Sequence, residues 1–185
     1  MLTYEIKDEY QLKMLNKWHA DNLFETTNQN RNYLRQWLSW VDTTKSSKQS
    51  LEFITAMRQA YMDHSGYTLG IFHKDKIIGC VGFNRIDWTN RKTDIGYWLA
   101  EDYTGIGIMT CACKALLNYA FEELGLNRVE IRAAVMNRKS RAIPERLGFV
   151  QEGVIRQAEW LHDEYVDHVI YSMLQADWHS SDHSL

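Results

Sequence analysis

The order of hydrophobic patterns along the chain predicts an α+β fold, built on a mixed, mostly antiparallel sheet of about seven strands flanked by helices. Helical periodicity dominates the first third of the sequence, and three β-rich runs separated by tight turns follow it. Helical and strand patterns then alternate to the end of the chain. The predicted order is β-α-α-β-β-β-α-β-α-β-β, which is typical of a sheet with helices packed on it.

The N-terminal third is predicted to be mainly helical after one short strand. Residues 2–6 can begin the sheet. Residues 8–40 are expected to be helical, since Leu12 and Leu15 share one helical face. A further helix is expected over Ser50–Met62, where aromatic and apolar residues recur every four positions.

A three-stranded meander is predicted in the middle of the chain. Its strands are Tyr67–His73, Ile77–Asp87 and Lys92–Ala100, joined by short polar turns. The hydrophobic period then changes to that of a helix, which begins at Ile108 and ends before Gly125.

The last third alternates strands with one short helix. The predicted strands are Arg128–Val135, Phe149–Ile155 and Tyr165–Leu174, and the helix is Arg138–Leu147. We expect one domain over residues 1–178. The polar residues 179–185 are expected to form a flexible tail, because they offer little apolar surface to hold them in place.

Composition and charge exclude several functional classes. The chain has 185 residues, of which 45% are hydrophobic and 24% charged, and a net charge of -3. A basic surface for nucleic acid is therefore not expected. The N-terminus has no apolar segment typical of a signal peptide, and no window approaches the roughly 18 apolar residues of a membrane span. The three cysteines are an odd number and are expected to be free thiols in a cytoplasmic protein.

A Gly-x-Gly loop between the third meander strand and the following helix has the properties of an anion site. Gly105 and Gly107 lack Cβ atoms, so the backbone there can approach a phosphate and adopt positive φ. The first amides of the helix are unpaired, and the helix dipole adds positive potential. A glycine turn without a ligand is the alternative. Thr110 replaces the third glycine of a dinucleotide-binding loop, and no Gly-Lys-Ser/Thr of a Walker A loop follows.

Several blocks of the sequence, in the same order, resemble the GNAT superfamily of N-acetyltransferases. Tyr103–Met109 lies where this family carries Gln/Arg-x-x-Gly-x-Gly/Ala, the loop that wraps the diphosphate of coenzyme A. The strand Ile95–Leu99 supports the resemblance. Asn137–Phe149, with Asn-x-x-Ser before Leu-Gly-Phe, and Asn30–Asp42 are similar to the bacterial ribosomal-protein N-terminal acetyltransferase subgroup. The resemblance covers nearly the whole chain and implies the GNAT fold, with acetyl-CoA as co-substrate.

The resemblance also implies which residues contact the coenzyme. They lie on a strand, on the Gly-x-Gly loop and at the start of a short helix: Tyr97, Trp98, Leu99, Thr104, Gly105, Ile106, Gly107, Ile108, Met109, Asn137 and Ser140. Thr104, Ile106 and Met109 depart from the family pattern, which has Gln or Arg, Lys and a small residue there. Backbone donors are therefore expected to carry more of the phosphate binding.

Two side chains are candidates for the chemistry. The resemblance places Ser140 near the thioester sulfur, where hydrogen bonding or a proton relay suits a hydroxyl better than direct acid catalysis; a surface serine is the alternative. Glu159 matches the general base proposed in the subgroup, with Trp160 beside it to exclude water. A solvated loop carboxylate, or a ligand of the acceptor, is the alternative for Glu159. Asn137 is expected to meet the pantetheine arm, to cap the following helix, or both.

The resemblance implies direct transfer of an acetyl group from acetyl-CoA to a primary amine, with the N-terminal α-amine of a protein of ribosomal type as the expected acceptor. A small cationic amine (a polyamine, aminoglycoside or amino acid) is the alternative acceptor, and a non-catalytic acetyl-CoA-binding module is the alternative class. His162 and His168 bracket an acidic run without ligand spacing, so no metal is expected. We expect no nucleic-acid or membrane partner; a homodimer is one possible assembly.

Overall fold

A single eight-stranded sheet forms the centre of the computed structural model, which describes residues 3–180. The strands are β1 (Thr3–Lys7), β2 (Tyr10–Met14), β3 (Tyr67–His73), β4 (Lys76–Asp87), β5 (Lys92–Leu99), β6 (Arg128–Ala134), β7 (Val150–Leu161) and β8 (Glu164–Leu174). Their order across the sheet is β1-β2-β3-β4-β5-β6-β8-β7. Neighbours are antiparallel except β5 and β6, which are parallel. The predicted α+β class and mixed sheet are confirmed.

Six α-helices flank this sheet in the described part of the chain. They are α1 (Ala20–Gln29), α2 (Arg31–Leu34), α3 (Ser47–Met62), α4 (Ile108–Asn118), α5 (Arg138–Arg146) and α6 (Gln175–Ser180). A π-helical turn, Tyr119–Glu123, continues α4. His179 and Ser180, predicted to begin a flexible tail, belong to α6; the remaining tail residues 181–185 lie outside the described residues.

The prediction of helix throughout residues 8–40 is wrong at both ends. α-Helix in this range is limited to α1 and α2, and Leu34 is followed by turns and a 3-10 turn at Ser39–Asp42. Residues 10–14 form β2, which pairs with β1 and with β3, where Leu12 lies opposite Ile71. In the turn between β1 and β2, Glu9 adopts φ 61, which is a left-handed conformation. Glycine or asparagine usually occupies such a position and reveals the turn in the sequence. Without that signal, the three-residue spacing of Leu12 and Leu15 was compatible with a helix.

Hydrophobic side chains pack on both faces of the sheet. The smaller cluster lies beneath α1 and α3 and includes Leu15, Ile54, Phe72 and Cys80. The larger cluster lies on the opposite face beneath α4 and α5, and it extends from β2 to β8. Because the strands bury side chains on both faces, β3 and β4 are almost continuously apolar rather than alternating.

The sheet opens between its two parallel strands. β5 and β6 pair only at three positions, Lys92–Asp94 with Arg128–Glu130. Beyond Asp94 and Glu130 the two strands have no mutual pairing, although each keeps its other neighbour. This separation leaves a gap through the sheet where the ends of both strands face each other.

A charged cluster joins β6, β8 and β7 near the closed end of this gap. Arg128 donates to Glu130 at 2.9 Å and to Glu152 at 2.7 Å, and Ser172 donates to the same Glu152 oxygen at 2.7 Å. The Arg128 hydrogen bond, supported by that of Ser172, lowers the pKa of Glu152 to about 2. Three neighbouring strands are thereby tied together through the Glu152 carboxylate, which accepts from Arg128 of β6 and Ser172 of β8.

We expect Glu152→Gln to lower stability in a pH-dependent way. The depressed pKa means that the ionised carboxylate stabilises the fold above the unfolded value of 4.5, and that this contribution is lost as pH falls toward about 2. The free energy of unfolding at pH 7 should fall by about 0.5–1 kcal/mol, the range of partly exposed ion pairs. Urea unfolding at pH 7, 4.5 and 3 measures the difference.

Glu164→Gln is the matched control, since Glu164 is an exposed carboxylate on β8. Its stability should match that of the wild type at each pH. A Glu152→Gln deficit that stays constant from pH 7 to pH 3 would show that the carboxylate charge is not what Arg128 requires.

Candidate active site

A cavity of about 870 Å³ occupies the gap between β5 and β6. Its walls are the end of β5, the loop before α4, the start of α5 and residues 33–40. Tyr97 and Trp98, adjacent on β5, both line it, although Tyr97 packs toward the α4 face and Trp98 toward the α1 face. The cavity therefore opens toward both faces of the sheet.

The Gly-x-Gly loop forms one wall of this cavity. Gly105 has φ +81 and Gly107, the N-cap of α4, has φ +88, so both adopt the left-handed conformation that favours glycine. A Cβ built on either glycine meets no atom of the described residues within 4 Å, which leaves the loop open to a ligand. No side chain of the described residues caps α4, so its first amides face this space with the positive end of the helix dipole.

The side chains of this loop contribute unequally to the cavity. Ile108 and Met109 are buried and line it. Thr104 lines the cavity too, but its hydroxyl donates to the carbonyl of Glu101 at 2.8 Å. Ile106 is 47% exposed and lies outside the lining, and its carbonyl accepts from Lys7 Nζ at 3.0 Å. The available donors at this wall are therefore mainly backbone amides.

Asn137, Ser140 and Tyr97 form a hydrogen-bonded unit across the gap. Asn137 Oδ1 accepts from the Ser140 amide at 3.1 Å, which confirms the predicted cap of α5. Ser140 Oγ donates to the Tyr97 hydroxyl at 3.1 Å, and that hydroxyl donates to the Ser140 carbonyl at 3.0 Å. Burial raises the pKa of Tyr97, so its phenol stays neutral and can serve as both donor and acceptor. Ser140 is thus fixed at the cavity wall rather than free on the surface.

The opposite side of the cavity is covered by residues 31–44, here called the roof. Arg31 holds its fold by donating to the carbonyls of Val41 and Thr44. Arg35 and Asp42 form a bidentate pair, with both distances 3.0 Å, and the Arg35 guanidinium holds the pKa of Asp42 below its usual range.

Three contacts attach the roof to the rest of the cavity wall. Trp40 packs on Trp98 of β5, with ring centroids 5.9 Å apart. Lys139 of α5 lies over the Tyr33 ring at 5.3 Å. At the tip of the β7–β8 hairpin, His162 contacts the Arg35 carbonyl and lies 3.6 Å from Asp42. The roof is therefore held by polar and aromatic side chains from three separate elements.

Glu159 lies within a strand, which corrects its predicted place in a loop. β7 continues to Leu161, and Glu159 pairs with Val166 of β8. Its carboxylate lines the cavity, and Oε2 is 3.2 Å from Nε2 of His168. Trp160, expected to shield it, is 54% exposed and packs on Tyr165 instead, because neighbouring residues of a strand point to opposite faces.

Sequence reasoning missed several residues that the fold brings to this cavity. His168, Tyr33 and Trp40 line it from three distant segments. His168 was considered only as a metal ligand, and residues 3–180 contain no group of three or more His, Cys, Asp or Glu arranged to hold a metal. The three cysteines are free thiols, of which Cys80 and Cys113 are buried.

No helix within residues 3–180 has the length and apolar content needed to cross a bilayer.

Comparison with known proteins agrees with this geometry. The model of the acetyltransferase (GNAT) domain family matches residues 11–150. YdaF of Bacillus subtilis (strain 168), which is provisionally named as a ribosomal N-acetyltransferase, is 38% identical over 96% of this chain and 98% of its own length.

Two solved structures extend the comparison. RimL, a ribosomal L7/L12 α-N-protein acetyltransferase in complex with coenzyme A, is 26% identical with a TM-score of 0.90, over 95% of this chain and 99% of that one. MccE, a microcin C7 self-immunity acetyltransferase in complex with acetyl-CoA and AMP, is 33% identical with a TM-score of 0.86, over 91% and 94% of the two chains.

We expect Gly107→Ala to weaken acetyl-CoA binding about tenfold. An alanine at φ +88 costs about 1–2 kcal/mol, and relief of that strain rotates the amides of the first turn of α4 away from the cavity. Calorimetric titration with acetyl-CoA gives the affinity, and urea unfolding gives the stability.

Gly125→Ala is the control, because Gly125 is also left-handed (φ +62), also has open space around its Cβ position, and does not line the cavity. It should lose comparable stability and keep its affinity. Equal affinity losses in the two variants would assign the effect to strain alone, and no loss in Gly107→Ala would remove the diphosphate from this loop.

Proposed function

Since the chain belongs to the GNAT acetyltransferase family and is an acetyl-CoA-dependent N-acetyltransferase, we propose that its acceptor is the N-terminal α-amine of a protein, of the ribosomal-protein type. The observation that carries this proposal is the single cavity that opens toward both faces of the sheet, with the Gly-x-Gly loop on one side and Glu159 on the other. Two substrates can then meet in it from opposite sides.

On the coenzyme side, backbone amides and uncharged side chains would bind acetyl-CoA without a charged side chain from the Gly-x-Gly loop. The amides of residues 105–109 would hold the diphosphate, and Asn137 and Ser140 would face the pantetheine arm and thioester. Beyond Asp94, the backbone of β5 has no partner on its β6 side, so an N–H of Tyr97–Leu99 is available to polarise the thioester carbonyl. This division uses most of the coenzyme residues predicted from the sequence; Ile106 would contribute only its backbone amide, and Trp98 faces the acceptor side.

The acceptor side would supply one base. The amine nitrogen attacks the carbonyl carbon, the new C–N bond forms, and the C–S bond breaks. Glu159 would take the proton from the amine, directly or through one water. The Ser140 hydroxyl would turn from the Tyr97 hydroxyl and donate its hydrogen bond to the sulfur, so that coenzyme A leaves as a stabilised thiolate. An α-amine, with a pKa of about 7.7–8.0, is already partly neutral at pH 7, so a single carboxylate suffices.

The charges of the lining favour an α-amine over a polyamine. Four cationic side chains line the cavity, against one carboxylate, Glu159: Arg132, Arg138, Lys139 and Arg146. Arg132 is paired with Glu130 at 2.8 Å, and the other three cations suit the phosphates of coenzyme A and repel an acceptor with several positive charges. A protein N-terminus presents one amine, which can enter uncharged. The names of YdaF and RimL support the same acceptor class.

A second acceptor class has a specific observation in its favour. Trp37, Trp40 and Trp98 line the acceptor side of the cavity, where they can stack on a planar group. The MccE structure contains AMP beside acetyl-CoA. A small amine linked to a nucleotide is therefore the second candidate, and it belongs to the small-molecule alternative.

An acceptor panel distinguishes these classes. We would measure release of free thiol from acetyl-CoA with peptides beginning Ala, Ser or Met, with spermidine, with an aminoglycoside and with an aminoacyl sulfamoyl adenosine. A peptide with a blocked N-terminus and a free lysine is the control. The highest kcat/KM should belong to a free N-terminus; equal turnover of the blocked peptide, or faster turnover of a small amine, would overturn the proposed acceptor.

We expect Glu159→Gln to lower kcat about 100-fold, a typical contribution of a general base, and to leave acetyl-CoA affinity unchanged. Steady-state kinetics with the best acceptor of the panel measures kcat, and calorimetry measures the affinity. Glu164→Gln, on the same hairpin and exposed, should behave as the wild type. A raised acceptor KM with unchanged kcat would instead make Glu159 a ligand of the acceptor.

A further inference from the structure

His168 lies on the acceptor side of the cavity and contacts Glu159. It lies on β8, opposite Ala134 of β6 and Ile155 of β7. Its side chain is 18% exposed, against 34% for Glu159, and both line the cavity. The contact of Nε2 with Glu159 Oε2 at 3.2 Å is therefore formed at the cavity wall, not on the outer surface.

An irregular stretch of β7 creates this contact. Ile155 pairs with His168 and Glu159 with Val166, so three residues of β7 lie opposite Asp167 alone. The Asp167 carboxylate accepts from the amide of Gln157 at 2.7 Å, and Gln157 adopts φ 51. The bulge adds two residues to β7. In a regular ladder residue 157 would lie opposite Val166, and the bulge puts Glu159 there instead. Glu159 and His168 thereby become diagonal neighbours on one face.

Two charged groups on the strands beside this pair are engaged elsewhere. Asp167 holds the bulge, and Arg132, two residues before Ala134, pairs with Glu130 at 2.8 Å. The imidazole of His168 is thus the side chain that holds Glu159. An imidazole with a proton on Nε2 can donate to Oε2 and leaves Oε1 outside this hydrogen bond.

We propose that His168 is the positioning residue for Glu159. It fixes one carboxylate oxygen so that the other is aimed at the acceptor amine, and a misplacement of about 1 Å can cost up to about 100-fold in rate. The inference rests on the proposed role of Glu159 as base. The inference adds that the rate of acetyl transfer depends on the His168 N–H of β8, which belongs to none of the sequence motifs that form the coenzyme side.

Two substitutions separate hydrogen bonding from bulk. His168→Leu removes the donor, and we expect kcat to fall about 10- to 100-fold with no change in acetyl-CoA affinity. His168→Gln keeps a side-chain N–H of similar reach, so kcat should stay within about threefold of the wild type. His179→Leu is the matched control, because His179 forms a comparable pair with Glu122 at 3.4 Å outside the cavity lining and should leave kcat unchanged.

The double variant His168→Leu/Glu159→Gln provides a readout that a structural role would not give. If His168 acts through Glu159, the double variant should turn over as slowly as Glu159→Gln alone, because the residue to be positioned is already disabled. Multiplied losses would show that His168 supports the fold independently. If His168→Leu does not fold, His168→Asn replaces it: its shorter amide cannot reach Glu159, so it should be slower than His168→Gln.

The outcomes distinguish this inference from the proposed function. Unchanged kcat in a folded His168→Leu, or equal kcat in the Gln and Asn variants, would overturn the positioning role while Glu159→Gln still showed its loss. Unchanged kcat in Glu159→Gln would overturn the base itself. Absence of turnover by the wild type with every free N-terminal peptide would overturn the proposed function, and with it the positioning role.

Discussion

The parallel pairing of β5 with β6, limited to three residues, is the constraint on which the site depends. Every other neighbouring pair in the described sheet is antiparallel. Parallel strands require a crossover, and here the crossover is the loop and helix that begin at Gly105 and return the chain to Arg128. The pairing ends at Asp94, so the two strands separate beyond it and leave a gap in the sheet. The crossover places the N-terminus of α4 beside that gap.

The two sides of the gap are built by different kinds of interaction. The coenzyme side is made within short stretches of sequence, by two left-handed glycines and by a capped helix start. The acceptor side is assembled from the roof and the β7–β8 hairpin, which are far apart in the chain and joined by side-chain contacts of His162. Polar and aromatic contacts of this kind can change between relatives without altering the core, which suits a family that acts on different acceptors.

What the sequence could predict follows the same division. The Gly-x-Gly loop and the Asn137 cap were visible because each is a local conformational requirement. The sequence did not reveal β2 or the full length of β7. The turns beside these strands place Glu9, His162 and Asp163 in left-handed conformations, and none of the three is a glycine. The pairing of Glu159 with His168 needs both the hairpin tip and the bulge, and a two-residue bulge leaves the alternation of strand faces unchanged, so periodicity gives no sign of it.

Net charge was equally uninformative about the site. The chain carries -3 overall, yet the cavity lining is rich in Arg and Lys, since a sum over the whole sequence says nothing about where charges converge. The cluster of Arg128, Glu130 and Glu152 has a different function from these cations. Glu130 lies opposite Asp94, at the last paired position of β5 and β6. By tying β6 to its neighbours there, the cluster stiffens the point where the gap begins and so supports the β6 side of the cavity, where both Ser140 and Glu159 lie.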